Sequence, residues 1–255
     1  MKQIPNFFTL LNLFFGCIAI VFALQTESVI IYVNDEYGSS FNIPEKLAWA
    51  GVFIGLAAVI DFLDGFVARL FHATSELGKQ LDSLADIVSF GVAPAAIVYQ
   101  FLRISFAREE NGLEISILWL LPAFVLSCTA AYRLAKFNLD SDQLHHFKGL
   151  PTPAAGLLIA SFPLILHYNS GGALFSNWLT NKWILYTIII LLSYLMVSNI
   201  SFMSMKFKDY SIKNNLPKWL LLGVAIIAAV FLQWASVPVI FACYILLSLA
   251  FKNKY

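Results

Sequence analysis

Charge is what this 255-residue chain has least of: Asp, Glu, Lys and Arg together make up 12% of it, about half the share usual in a soluble domain. Hydrophobic residues make up 60%, well above the roughly half expected of a soluble fold, so the composition describes an integral membrane protein. Cysteine is also sparse. Cys17, Cys128 and Cys243 have no CxxC-type spacing and each falls inside an apolar run, which excludes a disulfide framework and leaves them as small packing residues. Internal repeats, low-complexity tracts and long linkers are missing too, so residues 1–255 read as a single membrane domain.

What is present is a series of apolar runs. A transmembrane helix needs about 20 largely apolar residues, and such runs lie near 4–24, 47–71, 79–101, 115–137, 151–169, 183–202, 217–235 and 237–251. They predict an all-α, polytopic helical bundle of about eight spans. The last run is short and only QWASVP separates it from its predecessor, so seven spans is the alternative count. The first run is longer than the apolar part of a secretory signal and no small-x-small site closes it, so it reads as a retained span.

Orientation follows from the basic residues. With the N-terminus in the cytoplasm, twelve of the sixteen Lys and Arg residues, among them Lys2, Arg69, Arg133 and Lys206, fall on the cytoplasmic side, as the positive-inside rule asks. The outer loops hold acids such as Glu27, Asp35 and Glu109. Both termini are expected inside, in the cytoplasmic (inner) cell membrane. Trp119, Trp183, Trp219 and Trp234 lie near span ends, as interfacial belts require. The longest soluble piece is the loop 25–46, whose YGSSFN reads as turn-forming.

Against this background four acids stand out. Asp61 and Asp64 are three residues apart near the end of the second run, and Asp82 and Asp86 are four apart at the start of the third. Either spacing puts a pair on one helical face, and the short turn between the runs makes the helices antiparallel neighbours. A charge within the bilayer costs upward of about 2.5 kcal/mol, so intramembrane acids are functional by default. Four carboxylates brought together repel one another. Arg69 cannot neutralise four acids, whereas hard divalent cations favour all-oxygen sites, so one or two Mg²⁺ or Mn²⁺ ions are expected. Gly65, Ala68 and Gly78 would let backbone or ligand approach closely, and the Arg69 fork suits phosphate oxygens. Together these residues describe a pyrophosphate site. A cation or proton transporter also uses intramembrane carboxylates and is the rival reading.

Written as a pattern the segment is D-x2-D-G-x2-A-R-x8-G-x3-D-x3-D, filled by Asp61, Asp64, Gly65, Ala68, Arg69, Gly78, Asp82 and Asp86. This is similar, at all eight positions, to the signature of the CDP-alcohol phosphatidyltransferase family. The stretches IPNFFTLLNLFFG at 4–16, AAYRLAKFN at 130–138, KGLPTPAAG at 148–156 and MVSNISFMSMKFK at 196–208 resemble the branch of that family that accepts serine.

The resemblance implies that family's fold, with a catalytic core over about 4–202 and additional C-terminal spans over 203–255. It implies transfer of the phosphatidyl group from CDP-diacylglycerol to L-serine, giving phosphatidylserine and CMP at the cytoplasmic membrane face. It makes Asp61, Asp64, Asp82 and Asp86 the metal ligands and Asp86 also the base, sets Gly65, Arg69 and Ser75 against the CDP-lipid with Ala68 and Gly78 beside them, and suggests a homodimer. Glycerol 3-phosphate or inositol phosphate as acceptor would need a further cationic pocket, and no basic cluster beyond Arg69, Arg133 and Lys136 is evident.

Other polar residues have two readings each. Asn6, Thr9 and Asn12 fall roughly on one face of the first run, where they could bind the cytidine or pyrophosphate, or simply hydrogen-bond between helices. Arg133 and Lys136 could hold the acceptor carboxylate or a lipid phosphate, or serve as positive-inside anchors. His145 and His146 have no partner at ligand spacing, and His72 falls in the turn between the motif helices.

Overall fold

The computed structural model describes residues 4–25, 31–32, 40–41, 45–71, 75–109, 115–139, 149–168, 170, 172–203 and 215–251. His72, His145 and His146 lie outside them. The described chain is built of helices: α1 (Ile4–Leu24), α2 (Glu45–Leu70), α3 (Glu76–Asp86), α4 (Ala93–Ala107), α5 (Val125–Leu139), α6 (Thr152–His167), α7 (Gly172–Leu179), α8 (Lys182–Val197), α9 (Leu216–Leu232) and α10 (Ser236–Ala250). Two short strands, β1 (Ile31–Tyr32) and β2 (Ser40–Phe41), pair antiparallel with Ile31 opposite Phe41. The stretch expected as a turn-forming loop therefore carries a small ladder, and α7 was not foreseen at all.

Five helical stretches are long and apolar enough to cross a membrane: Pro5–Leu24, Glu45–Leu70, Glu76–Ala107, Ile117–Leu139 and Leu216–Ala250; Thr152–His167 and Lys182–Val197 are shorter apolar helices. Large apolar side chains cover the outside, with Phe62, Ile190, Val230 and Phe231 at least 67% exposed. A surface of that kind is stable against lipid and not against water. This is a multi-pass membrane protein.

The third stretch is the centre of the bundle. Its apolar window is 72% buried, against 22–33% for the other four, because α4 packs on α1, α2, α5, α6 and α8. Ala93, Ala95 and Ala96 let those neighbours close in, while Ile97, Phe101 and Leu102 fill the space between them. Close backbone approach is also visible where Gly51 lies against the Ala160 carbonyl and Gly156 against Phe90, the small-residue packing expected without water to drive association. Cys17 and Cys128 are exposed and not packed as expected; a thiol is apolar enough for a lipid-facing position.

Two details of this stretch matter for the site. At 32 residues and 1.5 Å per residue it is about 48 Å long, well beyond the roughly 30 Å hydrocarbon core, so its polar first turns, α3, reach past the apolar slab. Directly after Asp86 the helix widens into a π-helical segment, Ile87–Val92, before α4 begins. Such segments are rare and shift the faces of the helix on either side. The α3 start is fixed by Ser75, whose Oγ accepts the Gly78 amide at 3.0 Å as an N-cap.

Candidate functional site

Helices α2 and α3 bring the two aspartate pairs together, as the spacing predicts. One carboxylate oxygen from each of Asp61, Asp64 and Asp82 lies within 4.8 Å of the others. At about 5 Å and an effective dielectric near 20, each pair of ionised carboxylates repels by about 3 kcal/mol. The donor set, three carboxylates and no sulfur or imidazole, suits a hard divalent cation.

Asp86 is not one of these three. It sits behind them, 7% exposed, adjoining Asp61 and reached from α1 by Asn12, whose Nδ2 donates to its Oδ1 at 3.5 Å. Asn12 is fully buried, and Ser89 on the π-helical segment donates to its backbone carbonyl at 3.1 Å. That bond ties α1 to the helix that carries Asp86.

Beside the three acids a cleft of about 220 Å³ opens between α1, α2 and α3, lined by Pro5, Asn6, Thr9, Asp64, Gly65, Ala68, Ser75, Gly78, Lys79 and Asp82. Asn6, Thr9, Gly65, Ala68, Ser75 and Gly78 thus share one wall system with two of the aspartates. Thr9 does more than line it, since its Oγ1 donates to Asp64 Oδ2 at 2.8 Å. Gly78 has the Asn6 Oδ1 and Ser75 Oγ only about 3.1 Å from where a Cβ would stand, so a larger residue there would press on α1 and on the cap. Arg69 is exposed, with Nη1 3.6 Å from where a Gly65 Cβ would be; it lies over the cleft edge and is not among the lining residues.

Two lining residues were not foreseen. Lys79 lies on the same face of α3 as Ser75 and Asp82, at i+4 and i−3, which the helical spacing contained; its Nζ donates to the Asn138 carbonyl at 3.4 Å. Pro5 borders the cleft one turn before Thr9 and also accepts from the Thr9 hydroxyl, at 3.2 Å.

Arg133 and Lys136 part company in the structure. Arg133 points inward from α5, 8% exposed, with Nη1 donating at 2.9 Å to Oγ1 of the fully buried Thr152 on α6. Asp86 and Tyr244 are the ionisable groups within its electrostatic reach. Lys136 is bonded to Asn199 Oδ1 at 2.8 Å, at the end of α8.

The chain has recognisable relatives. Residues 2–190 match the family model described as CDP-alcohol phosphatidyltransferase. Over 214 residues it is 32% identical to the CDP-diacylglycerol--serine O-phosphatidyltransferase of Helicobacter pylori, covering 82% of this chain and 75% of the relative. The proteins of the same name from Bacillus subtilis and Saccharomyces cerevisiae are 34% and 36% identical. The first match covers 65% of this chain and 79% of the relative, the second 62% and 52%. The family match ends before α9, so α9 and α10 lie beyond it.

Proposed function

The chain belongs to the CDP-alcohol phosphatidyltransferase family, and from that premise we infer that it transfers the phosphatidyl group from CDP-diacylglycerol to L-serine, yielding phosphatidylserine and CMP. The observation that carries this reading is the convergence of Asp61, Asp64 and Asp82, two of which line a cleft, with Asp86 buried next to Asp61. The serine assignment is supported by the names of relatives matched over most of this chain.

In this reading the cleft receives the CDP end of the lipid. Asn6, Thr9, Gly65, Ala68, Ser75 and Gly78 form its walls, and the Arg69 guanidinium closes its edge against phosphate oxygens. Asp61, Asp64, Asp82 and Asp86 would hold Mg²⁺ or Mn²⁺, which when bound supplies positive charge to the pyrophosphate. Thr9 keeps Asp64 oriented. Asp86 accepts the proton of the serine hydroxyl as the serine oxygen bonds to the phosphorus of the phosphatidyl group. The bond from that phosphorus to the bridging oxygen breaks, and CMP leaves with the electron pair. Phosphoryl transfer of this type needs positioning and charge neutralisation more than covalent help, and this set of residues offers both.

The membrane arrangement is part of the proposal. Counting α9 and α10 separately gives eight spans, a single domain with its core over about 4–202 and two additional spans over 203–255. Support comes from Gln233, where the backbone takes φ 49° and ψ −123° between α9 and α10, and from the packing of those helices on each other, which one straight helix could not achieve. The distribution of Lys and Arg supports a site facing the cytoplasm from the inner membrane, with both termini inside. A homodimer is the expected working form on family grounds, checked by light scattering in detergent.

The test supplies purified protein in detergent with CDP-diacylglycerol, Mg²⁺ and, in separate reactions, L-serine, glycerol 3-phosphate or inositol phosphate, and identifies the lipid product by mass spectrometry. Phosphatidylserine from the serine reaction alone is the expected result. A phosphorylated lipid product from either other acceptor, with none from serine, would overturn the assignment of the acceptor.

A further inference from the structure

Among the described residues, two buried side-chain polar atoms have no hydrogen-bond partner: Asn12 Oδ1 and Arg133 Nε. They come from helices far apart in sequence that both pack on Ile87–Val92, the segment directly after Asp86. Asn12 donates to Asp86 through Nδ2, and the Arg133 guanidinium has Asp86 within its electrostatic reach. Turning the Asn12 amide over would set its oxygen against the Asp86 carboxylate, so the orphan on this residue is an acceptor. The orphan on Arg133 is a charged donor. Each is more than nine-tenths buried, and a buried polar group left without a partner is costly enough that it calls for a ligand or a functional reason.

A ligand that satisfies both atoms must carry a donor and an anionic acceptor on one small frame, next to the hydroxyl that Asp86 deprotonates. Phosphate-bearing acceptors can offer Asn12 Oδ1 only a neutral hydroxyl, with no charged donor beside their anionic group. A zwitterionic α-amino acid fits, because its ammonium and carboxylate share one carbon and its hydroxyl sits on the next. Resting on the serine-transfer reading, we propose that Asn12 and Arg133 form an amino-acid subsite: the Arg133 guanidinium takes the carboxylate, Asn12 Oδ1 takes the ammonium, and the side-chain hydroxyl is thereby presented to Asp86. Thr152 is a positioning residue here, fixing Arg133 through Nη1 and leaving Nε for the ligand.

The test is competition against L-serine in CMP release by the full-length protein with CDP-diacylglycerol and Mg²⁺. L-Alanine, which keeps both charged groups and lacks the hydroxyl, is expected to compete with L-serine, while ethylamine and propionate, each with one of the groups, compete at least about tenfold more weakly. This arm needs no substitution. Equal inhibition by all three, or none by L-alanine, overturns the proposal. In Arg133→Met the inhibition constant of L-alanine should rise about tenfold with that of ethylamine unchanged; in Asn12→Leu it should rise similarly with that of propionate unchanged. Uniform weakening of every analogue in either variant overturns it. If CMP release proves independent of L-serine in the unaltered protein, the serine reading itself fails. Serine-dependent release without the analogue pattern removes only the subsite.

Discussion

The cleft beside Asp61, Asp64 and Asp82 and the buried polar cluster around Asp86 are neighbours of different character. The cleft gathers three carboxylates from two consecutive helices, with Lys79 also on its wall, is partly open, and is lined largely with small residues. The surroundings of Asp86 mix signs too, are buried, and draw Asn12 from α1, Asp86 from α3, Arg133 from α5 and Thr152 from α6. The first arrangement suits a metal and a pyrophosphate that would otherwise repel the protein. The second suits a small acceptor that must be recognised and then relieved of a proton. Asp86 stands between them, which is what a group serving both donor and acceptor chemistry requires.

Substitutions should separate the two regions. The largest effect is expected from Asp82→Asn, which removes one of three converging oxygens: CMP release should fall at least about 10³-fold, the loss of several kcal/mol of charge stabilisation, and binding of Mn²⁺, followed by calorimetry, should weaken with it. Asp86→Asn should lower turnover by about 10²–10⁴-fold, the range for a lost general base. Its binding of CDP-diacylglycerol, measured by the same method with Mg²⁺ present, should change far less than its turnover. Equal losses of lipid binding in both variants would erase the distinction drawn here.

Smaller effects test how the cleft is held. Thr9→Val removes the hydroxyl that donates to Asp64 Oδ2 and keeps the shape; metal affinity should drop about 10–100-fold, as for other residues that orient a ligand. The smallest is Ser75→Ala. Loss of the α3 cap should cost about 1 kcal/mol of stability, read as a lower melting temperature in detergent, and loss of a cleft-wall hydroxyl should lower CMP release by no more than about tenfold. A collapse of activity there would mean that Ser75 acts on the substrate and not only on the helix.

How much of this was legible in sequence follows the same division. The cleft's aspartates and most of its lining lie within one 26-residue stretch, with α1 adding Pro5, Asn6 and Thr9, and helical spacing carries the geometry of the acids: i, i+3 and i, i+4 pairs on adjoining helices must meet. Even Lys79 was recoverable from that periodicity. The buried cluster around Asp86 depends on how α1, α5 and α6 pack, and nothing in local spacing states that Asn12 turns to Asp86 or that Arg133 turns inward to Thr152 while Lys136, three residues on, bonds Asn199. Span limits were legible from hydropathy to within a few residues in most cases. The polar α3 extension and the π-helical segment were not, since the first is a matter of capping by Ser75 and the second of packing against Asn12 and Gly16.

The central claim, that the acidic cleft and Asp86 carry out a metal-dependent transfer to serine, is most directly tested by CMP release from CDP-diacylglycerol with the purified full-length protein. Release that requires L-serine, stops on chelation, returns with added Mg²⁺ and is lost in Asp86→Asn is the result expected. Release that proceeds equally without L-serine, or that survives both chelation and the loss of Asp86, would contradict it.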